Sequence, residues 1–496
     1  MAHQSSKETI SSFSTSPSAS SASSSFSFSS DTSHASILTS DLIPMRVFLF
    51  QTAKGLFSSS GGYKANICLL RYLASRGHSV RQLCYSHPGE VEAYVRTAAE
   101  CGWHDPQLRR RLLHLSAQDG LPGVDVKVEE LVLNDGVEFV ALESEVFDTA
   151  FGGKEGVLKE ITRQTADYIE TKTLSPRLLD FVSFMQQEIT RFAPTHIISN
   201  DGLSMMATSA LVMPNIDVCR VGVVHTAEQL PFGPFAGGMP GHGSSPSEIN
   251  LYRQLDGIWS VSSAIENYAL KHGQLQTRFF VHHAWTYLEE KEQRIPAHLH
   301  NWNRRFIGMI NPCPVKGSSI LIGLAKLCPQ HDFLVYKSWG FNDEIGNQMK
   351  DLENITVRPT SKDMEEVWRD IKVLLVPSLW LEAWGIVVIE AHLRGIPVIS
   401  SDAGALPEAM LGLDHIIPVN PIQGEYDEKG AYVVPDQCVR PWAKTVNERV
   451  SNRLEYERLS TKVRDVTQRW LKNADETALE RCLVDLAADP SKNRVA

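Results

Sequence analysis

Residues 377–391 read PSLWLEAWGIVVIEA and follow a short apolar run at 371–376 that is typical of a buried strand. After this strand a loop carries Glu382, and the pattern predicts a helix that begins near Gly385. The first N–H groups of a helix have no partner inside it, so together with the helix dipole they form a site for an anion such as a diphosphate. Gly385 would let the backbone approach that anion closely.

Two carboxylates flank this helix start. Glu390 lies more than one turn into the helix, where it reaches hydroxyls beside the phosphates, and a carboxylate accepts two hydrogen bonds from a vicinal diol such as a ribose. Glu382 is placed to accept hydrogen bonds from sugar hydroxyls. Two acids so near a phosphate site repel it unless both make strong hydrogen bonds. The stretch therefore indicates a ligand rich in hydroxyl groups.

The alternation of strands and helices extends to both sides of this stretch. A first series has predicted strands at 46–50, 80–83, 196–198, 221–224 and 258–261, and a second has them at 305–307, 333–336, 355–357, 371–376, 397–399 and 415–419. A break near 287–300 separates the two series. The predicted fold class is α/β, with two Rossmann-like doubly wound domains facing each other across a cleft.

The predicted domain limits follow from composition and pattern. Residues 1–44 are rich in serine and are expected to be a disordered tail, 45–290 and 300–465 are the two domains, and 466–496 is a helical segment that can pack on either. Residues 103–190 are irregular and charged, apart from a helix at 178–189.

Composition excludes several classes of function. The 496 residues carry a formal net charge of −10, which argues against a nucleic-acid partner. No apolar run approaches the ~18 residues of a transmembrane helix. The eight cysteines form no CxxC pair, which favours reduced thiols in a cytoplasmic protein. A Rossmann oxidoreductase is disfavoured because no GxGxxG follows the first strand.

Seven residues separate Glu382 from Glu390, and GIPVI at 395–399 and GALPE at 404–408 follow. This run closely resembles the signature of the family 4, or group 1, retaining glycosyltransferases, which have the GT-B fold. The resemblance implies that Glu390 binds the ribose of a nucleotide-sugar donor and that Glu382 contacts the transferred sugar. The backbone at Gly385 and Ile386 would then hold the diphosphate.

The segment NPCPVKG at 311–317 carries a further part of this resemblance. Lys316 resembles the phosphate-binding lysine of the family, and its ammonium would stabilise charge on the departing diphosphate. The family commonly has an arginine where this chain has Asn311. Asn311 is therefore expected to bond a phosphate or sugar oxygen, with Arg304 or Arg305 as candidates to replace the missing charge.

The first domain supplies the opposite wall of the predicted cleft. Gly61 and Gly62 resemble the glycine loop of the family, which approaches the sugar phosphate, and Lys64 beside them is interpreted as a solvated helix residue. His225 ends a predicted strand at the position where the family often places a histidine near the donor sugar. The resemblance implies that it hydrogen-bonds the sugar or its developing charge.

Candidates for acceptor contacts are weaker. His196, Asn200 and Asp201 are placed at a strand end facing the cleft, and the Gly- and Pro-rich stretch at 231–243 is interpreted as a mobile loop at the acceptor entrance, with His242 solvated. The pair His282-His283 lacks plausibly spaced further ligands, so no metal site is expected.

The implied reaction is transfer of a sugar from a nucleoside diphosphate donor, UDP- or GDP-linked by analogy, to an acceptor hydroxyl with anomeric retention. The acceptor is a small molecule, a lipid-linked sugar or a glycan, and no metal or other cofactor is expected. Two alternatives stay open: another enzyme of the same architecture, such as a glycoside phosphorylase or a sugar-nucleotide epimerase, and a non-catalytic scaffold that binds a sugar nucleotide.

Overall fold

Two mainly parallel β-sheets organise the molecule, one in each predicted domain. The computed structural model describes residues 44–55, 61–100, 107–118, 120–132, 136–210, 212–236, 244–283, 295–361, 363–428, 430–475 and 477–488. The predicted disordered tail, up to residue 43, lies outside the described residues, as do the predicted break at 287–294 and the second half of the 231–243 loop. No helix in these ranges is long and apolar enough to cross a bilayer.

The strands are β1 Arg46–Gly55, β2 Ser79–Ser86, β3 Gln107–Leu115, β4 Val124–Val132, β5 Val137–Glu143, β6 His196–Ser199, β7 Cys219–Val224, β8 Gly257–Ser260, β9 Arg278–Val281, β10 Phe306–Ile310, β11 Asp332–Tyr336, β12 Ile355–Arg358, β13 Ile371–Val376, β14 Val398–Ser401 and β15 Ile416–Ile417.

The helices are α1 Gly61–Ser75, α2 Glu90–Glu100, α3 Ser144–Ala150, α4 Gly153–Thr171, α5 Pro176–Phe192, α6 Gly202–Thr208, α7 Pro246–Arg253, α8 Ser263–Gly273, α9 Ser318–Leu327, α10 Asp343–Lys350, α11 Met364–Asp370, α12 Ile386–Leu393, α13 Leu406–Ala409, α14 Arg440–Ser451, α15 Arg453–Asn473 and α16 Ala478–Ala488.

The second sheet has the strand order β12-β11-β10-β13-β14-β15, and all of its pairs are parallel. The direction in which strands are added reverses between β10 and β13. In doubly wound folds the loops that follow the strands diverge at this point and open a crevice for a ligand. The carboxyl ends of β10 and β13 are therefore where a binding site is expected.

The first sheet has the order β3-β4-β5-β2-β1-β6-β7-β8-β9, parallel from β5 to β9 and antiparallel on both sides of β4. Its reversal point lies between β1 and β6. Helix α1, which follows β1, packs its apolar face on the sheet through Ala65, Leu69, Leu70 and Leu73, all fully buried. The first residue of α1, Gly61, is thereby held next to Ile386 of the second domain.

The interpretation of 103–190 as irregular is wrong for most of the segment. It contains β3, β4 and β5 and the helices α3 and α4, besides the helix that the sequence does predict, α5. The strand β3 carries three consecutive arginines, which hide its alternation. On the β3–β4 ribbon these charges are paired across strands, as in Arg110 with Glu129 at 2.9 Å and Arg111 with Glu130 at 2.7 Å.

The two last helices pack on different domains. Helix α15 lies on the second domain, where Val463 joins the core around α12, whereas α16 returns to the first domain. Leu479, Leu483 and Leu486 of α16 are buried among residues of the first sheet. The buried carboxylate of Glu480 lies 2.8 Å from Nε2 of His78 and accepts a hydrogen bond from Tyr72 at 3.0 Å.

Candidate active site

A cavity of about 310 Å³ lies at the reversal point of the second sheet and is closed on its other side by the first domain. Its lining combines the ends of β10 and β13, the loop after β13 and the start of α12 with three short parts of the first domain, at Gly61–Gly62, His225 and Val261. The predicted site residues in this lining are Gly61, Gly62, His225, Asn311, Lys316, Glu382, Gly385 and Ile386.

The start of α12 has the predicted geometry. Gly385 is the residue before the helix and has φ +98°, a left-handed conformation that L side chains rarely adopt. A Cβ there would lie 2.9 Å from Cδ2 of Leu406, so glycine also lets the loop pack closely on α13. The N–H groups at the beginning of α12 line the cavity with a positive partial charge.

Lys316 and Glu382 meet inside the cavity. Lys316 ends a short 3₁₀ turn, Pro314–Lys316, and its Nζ donates to Oε1 of Glu382 over 2.5 Å. Both side chains are largely but not fully buried, with exposed fractions of 26% and 13%. The ion pair holds the ammonium and the carboxylate next to the start of α12, where a diphosphate and its sugar would need them.

Glu390 lies one turn further into α12 and is half-buried. It is not part of the cavity lining. Burial raises the pKa of Glu390 to about 7, while the charges of Arg394 and Lys64 oppose the rise. Lys64 is exposed on α1, so its effect comes from the opposite domain. A hydroxyl ligand that donates to Glu390 would favour its charged form.

Gly61 lies against the second domain, and Gly62 lies against His225 of its own domain. A Cβ on Gly61 would lie 2.8 Å from Cδ1 of Ile386, and a Cβ on Gly62 would lie 2.8 Å from Cγ of His225. A side chain at position 62 would displace the His225 ring, whereas one at position 61 would need only the end of the Ile386 side chain to move. The resemblance to a glycine loop therefore coincides with a steric requirement.

His225 follows β7 and is fixed by neighbours of the first domain. Its Nε2 lies 2.8 Å from Oδ1 of Asn66, so Nε2 carries the proton and Nδ1 is left as an acceptor. Burial lowers the pKa of His225 to about 4, which keeps the ring neutral at physiological pH. A neutral imidazole at the cavity wall can bond a sugar hydroxyl without adding charge.

Asn311 follows β10 directly and has φ +56°. Its Oδ1 accepts a hydrogen bond from the N–H of Gly340 over 3.1 Å and so holds the loop after β11. The candidates for a replacement cation are wrong: Arg304 and Arg305 precede β10, at the end of the strand away from the cavity, and Arg305 pairs with Asp332 at 2.6 Å. Lys316 thus carries the positive side-chain charge in the cavity lining.

Residues 306–448 match the family model described as glycosyl transferases group 1. The second domain is therefore similar to glycosyl transferase group 1 domains. This match spans the strands, the cavity loops and the helix start of the domain, including Lys316, Glu382 and Glu390. No curated protein sequence matches the chain.

The two domains together have the GT-B fold, as solved structures with low sequence identity show. Sucrose-phosphate synthase from Thermosynechococcus elongatus is 14% identical, with 90% of this chain and 99% of that chain covered and a TM-score of 0.60. TarM, of which a form from S. aureus was solved with UDP, is 13% identical, with 90% of this chain and 99% of the TarM chain covered and a TM-score of 0.56. Anabaena HepE, solved in complex with UDP and glucose, is 14% identical, with 90% of this chain and 99% of the HepE chain covered and a TM-score of 0.53.

Of the three predicted acceptor contacts, His196 lies away from the cleft, whereas Asn200 and Asp201 follow the carboxyl end of β6 and are buried. His196 begins β6, at the end of the strand away from the cleft, and its Nε2 bonds the carbonyl of Leu483 at 2.9 Å. The prediction that His196 faces the cleft is therefore wrong, and the residue anchors α16. Asp201 follows β6 but caps α6 by accepting from the N–H of Ser204 at 2.8 Å. The neighbouring Asn200 is buried and accepts through its carbonyl from Gln229 at 2.7 Å.

The histidine pair at the end of the first domain serves an interdomain contact. The His283 ring stacks on Trp384 with centroids 3.7 Å apart, and Nε2 lies 3.4 Å from Oε1 of Glu408. Glu408 also accepts from the N–H of Ser263, at the start of α8, over 3.1 Å. In the described ranges, no three His, Cys, Asp or Glu side chains form a metal-binding group. His242 lies outside those ranges.

The sequence interpretation gave no role to Glu228. It is placed by the 3₁₀ turn Ala227–Gln229, three residues after His225, and is only 3% exposed. Its neighbours include charges of the cavity, Lys316 and Glu382. A single acid in a loop has no recognisable spacing, so the pattern of the sequence alone offered no signal for it.

Proposed function

We propose that the protein is a retaining glycosyltransferase that moves a hexose from a UDP- or GDP-linked donor to an acceptor hydroxyl. The observation that carries this proposal is the cavity at the reversal point of the second domain. There the Lys316–Glu382 pair, the start of α12 and Gly61 of the first domain surround one space. The match of residues 306–448 to the group 1 family model supports the same chemistry.

The donor would lie with its diphosphate at the helix start. The N–H groups after Gly385 and the ammonium of Lys316 would bind the phosphate oxygens, and the carboxylate of Glu390 would accept from the ribose hydroxyls. Binding of phosphates to Lys316 competes with its 2.5 Å bond to Glu382. The released carboxylate of Glu382 then becomes available for hydroxyls of the transferred sugar.

In the reaction, the bond from the anomeric carbon to the diphosphate breaks and a bond to the acceptor oxygen forms on the same face. The acceptor proton passes to the departing phosphate oxygen. Lys316 and the helix start stabilise the negative charge that grows on the diphosphate. The neutral ring of His225 bonds the sugar without opposing the positive charge that develops on it. The remaining rate enhancement comes from positioning of donor and acceptor.

The experiment mixes the full-length protein with UDP- and GDP-hexoses and measures release of the nucleoside diphosphate, with thermal unfolding as a separate measure of binding. We expect one donor series to raise the melting temperature and to release nucleotide. Proton NMR of the product should show the anomeric configuration of the donor. An inverted product would overturn retention.

The same assay separates the alternatives. A phosphorylase would release sugar 1-phosphate from a disaccharide and inorganic phosphate instead, and an epimerase would convert the donor without releasing nucleotide. A scaffold would bind nucleotide with no turnover, an outcome motivated by Asn311 in place of a second cation. Absence of binding to every nucleoside diphosphate would refute the assignment of the cavity.

A further inference from the structure

A cluster of three aromatic rings includes the residue that leads into the start of α12. Trp384 comes directly before Gly385, is 4% exposed and belongs to the cavity lining. Its ring stacks on that of His283, with centroids 3.7 Å apart and an angle of 13° between the planes. The ring of Trp470 has its centroid 5.8 Å from each of the other two. Trp384 is therefore held by two other aromatic side chains.

The three rings come from separate parts of the chain. His283 follows β9, the edge strand of the first sheet, whereas Trp384 lies in the loop between β13 and α12. Trp470 belongs to α15, the helix that packs on α12. Of the three, His283 alone belongs to the first domain. Its stack on Trp384 thus connects the first domain to the loop of the proposed donor site.

The His283 ring is itself fixed by its own domain. Its Nδ1 lies 3.0 Å from the carbonyl oxygen of Val261, and because a carbonyl only accepts, Nδ1 carries the proton and donates. Val261 is another residue of the cavity lining. On the other side of the ring, Nε2 lies 3.4 Å from Oε1 of Glu408, in the second domain. The ring is therefore a support whose position the first domain sets.

A shift of the Trp384 ring would reach the cavity through the backbone. Trp384 is bonded directly to Gly385, which precedes the first N–H groups of α12. Glu382 lies two residues earlier, and its carbonyl is held separately by the N–H of Ala405 at 2.8 Å. Loss of the stack should therefore displace the helix-start side of the loop more than the Glu382 side.

We propose that His283 is a positioning residue for donor binding, and that it acts through its stack on Trp384, which fixes the N–H groups at the start of α12. This inference rests on the proposed function. Hydrogen bonds from these N–H groups to a diphosphate weaken steeply with misalignment, so a small shift of the helix start lowers affinity. Lys316 and Glu382 are held by their own ion pair. The effect of His283 therefore falls on donor affinity more than on the rate of the bound donor.

The test compares three substitutions in the full-length protein. His283→Ala removes both the ring and the hydrogen bond, His283→Phe keeps a ring without Nδ1, and His283→Asn keeps a donor near the position of Nδ1 without the ring. Calorimetric titration with UDP and GDP gives the Kd, initial rates give kcat and the donor KM, and urea unfolding gives stability. His298→Ala is the matched control, because His298 stacks on His300 at 3.8 Å, lies 2.8 Å from Oγ of Ser460 and is not among the cavity-lining residues.

We expect His283→Ala to raise the nucleoside diphosphate Kd and the donor KM about 10-fold, the size of an aromatic contact, and to leave kcat within about threefold. His283→Phe should return both constants to within about threefold of the wild type, whereas His283→Asn should resemble the alanine variant. In a Trp384→Leu background the stack is already lost, so His283→Ala should add less than about twofold. His298→Ala should lower stability and leave the Kd unchanged.

Three results would overturn the inference while leaving the proposed function intact. If His283→Ala lowers stability but keeps the donor KM and the Kd of the wild type, His283 has a structural role alone. If His283→Asn restores binding and His283→Phe does not, the effect comes from the bond to Val261. If His283→Ala keeps its full effect in the Trp384→Leu background, it does not act through Trp384. A wild-type protein that binds neither UDP nor GDP would instead refute the proposed function.

Discussion

Replacing Gly404 by alanine tests whether the position of Glu382 controls activity. Gly404 follows β14 and has φ +60°, and its backbone lies against the Glu382 loop. A Cβ there would lie 2.3 Å from the carbonyl oxygen of Glu382 and 2.4 Å from its nitrogen, whereas real Cβ atoms essentially never come closer than 3.0 Å. The loop must therefore move by about 0.7 Å or more, and misplacement of this order costs about 30- to 100-fold in rate.

Gly412→Ala is the matched control. Gly412 has φ +75° and a Cβ there would meet nothing within 4 Å, so it imposes the same kind of backbone strain without touching Glu382. Gly412→Ala should lose about 1–2 kcal/mol of unfolding free energy because alanine disfavours the left-handed region, and Gly404→Ala should lose more because its Cβ also displaces the Glu382 backbone. Only Gly404→Ala should also lose activity.

The assay is steady-state release of nucleoside diphosphate, with urea unfolding of both variants measured at the same temperature. We expect Gly412→Ala to retain the wild-type rate within about twofold. If Gly404→Ala also stays within threefold of the wild type, the argument that this loop positions a reacting group is wrong. An equal loss of rate in both variants would assign the effect to backbone strain alone.

Three further changes have expected outcomes. Lys316→Gln should lower kcat about 100- to 1,000-fold and shrink the melting-temperature shift given by nucleoside diphosphate, which kinetics and thermal unfolding measure separately. Burial raises the pKa of Glu390 to about 7 in the folded protein, above its value in the unfolded chain, so the wild type loses stability as the pH rises between these two values. Glutamine does not titrate, so the melting temperature of Glu390→Gln relative to that of the wild type should be higher at pH 8 than at pH 5. A constant difference across this range would contradict the pKa. Glu408→Ala removes the acceptor of the Ser263 N–H and the contact with His283, and should cost about 1 kcal/mol of unfolding free energy in urea titrations; a value near zero would show that the interdomain contact contributes nothing.

The proposed donor site was predictable where its parts are close in sequence. Glu382, Gly385 and Ile386 lie in one strand–loop–helix unit, and the order of the surrounding strands then places Lys316 beside them. The steric roles of Gly61 and Gly62 needed coordinates, because each depends on a contact more than 100 residues away. The glycine pattern alone is equally compatible with an ordinary turn.

Other features depend on contacts that no local pattern encodes. The sequence places His196 in a strand but does not show at which end of the strand the cleft lies. Its hydrogen bond to the carbonyl of Leu483, nearly 300 residues away in the sequence, also becomes visible only in the structure. Arg110 and Arg111 make β3 look like a solvated loop until β4 supplies the opposite charges. Glu228 has neither a motif nor a periodic neighbour, and its surroundings come from both domains.

The return of α16 to the first domain has a consequence for how the molecule is made. A ribosome delivers residues 478–488 after both sheets have emerged, so the layer formed by Leu479, Leu483 and Leu486 is the last part of the first domain to arrive. Until then His78 and His196 lack the partners that α16 brings. Cleavage between 283 and 306 would therefore not yield two independent domains. The amino-terminal fragment would lack α16, and the apolar surface of the first domain that α16 buries would be exposed to solvent.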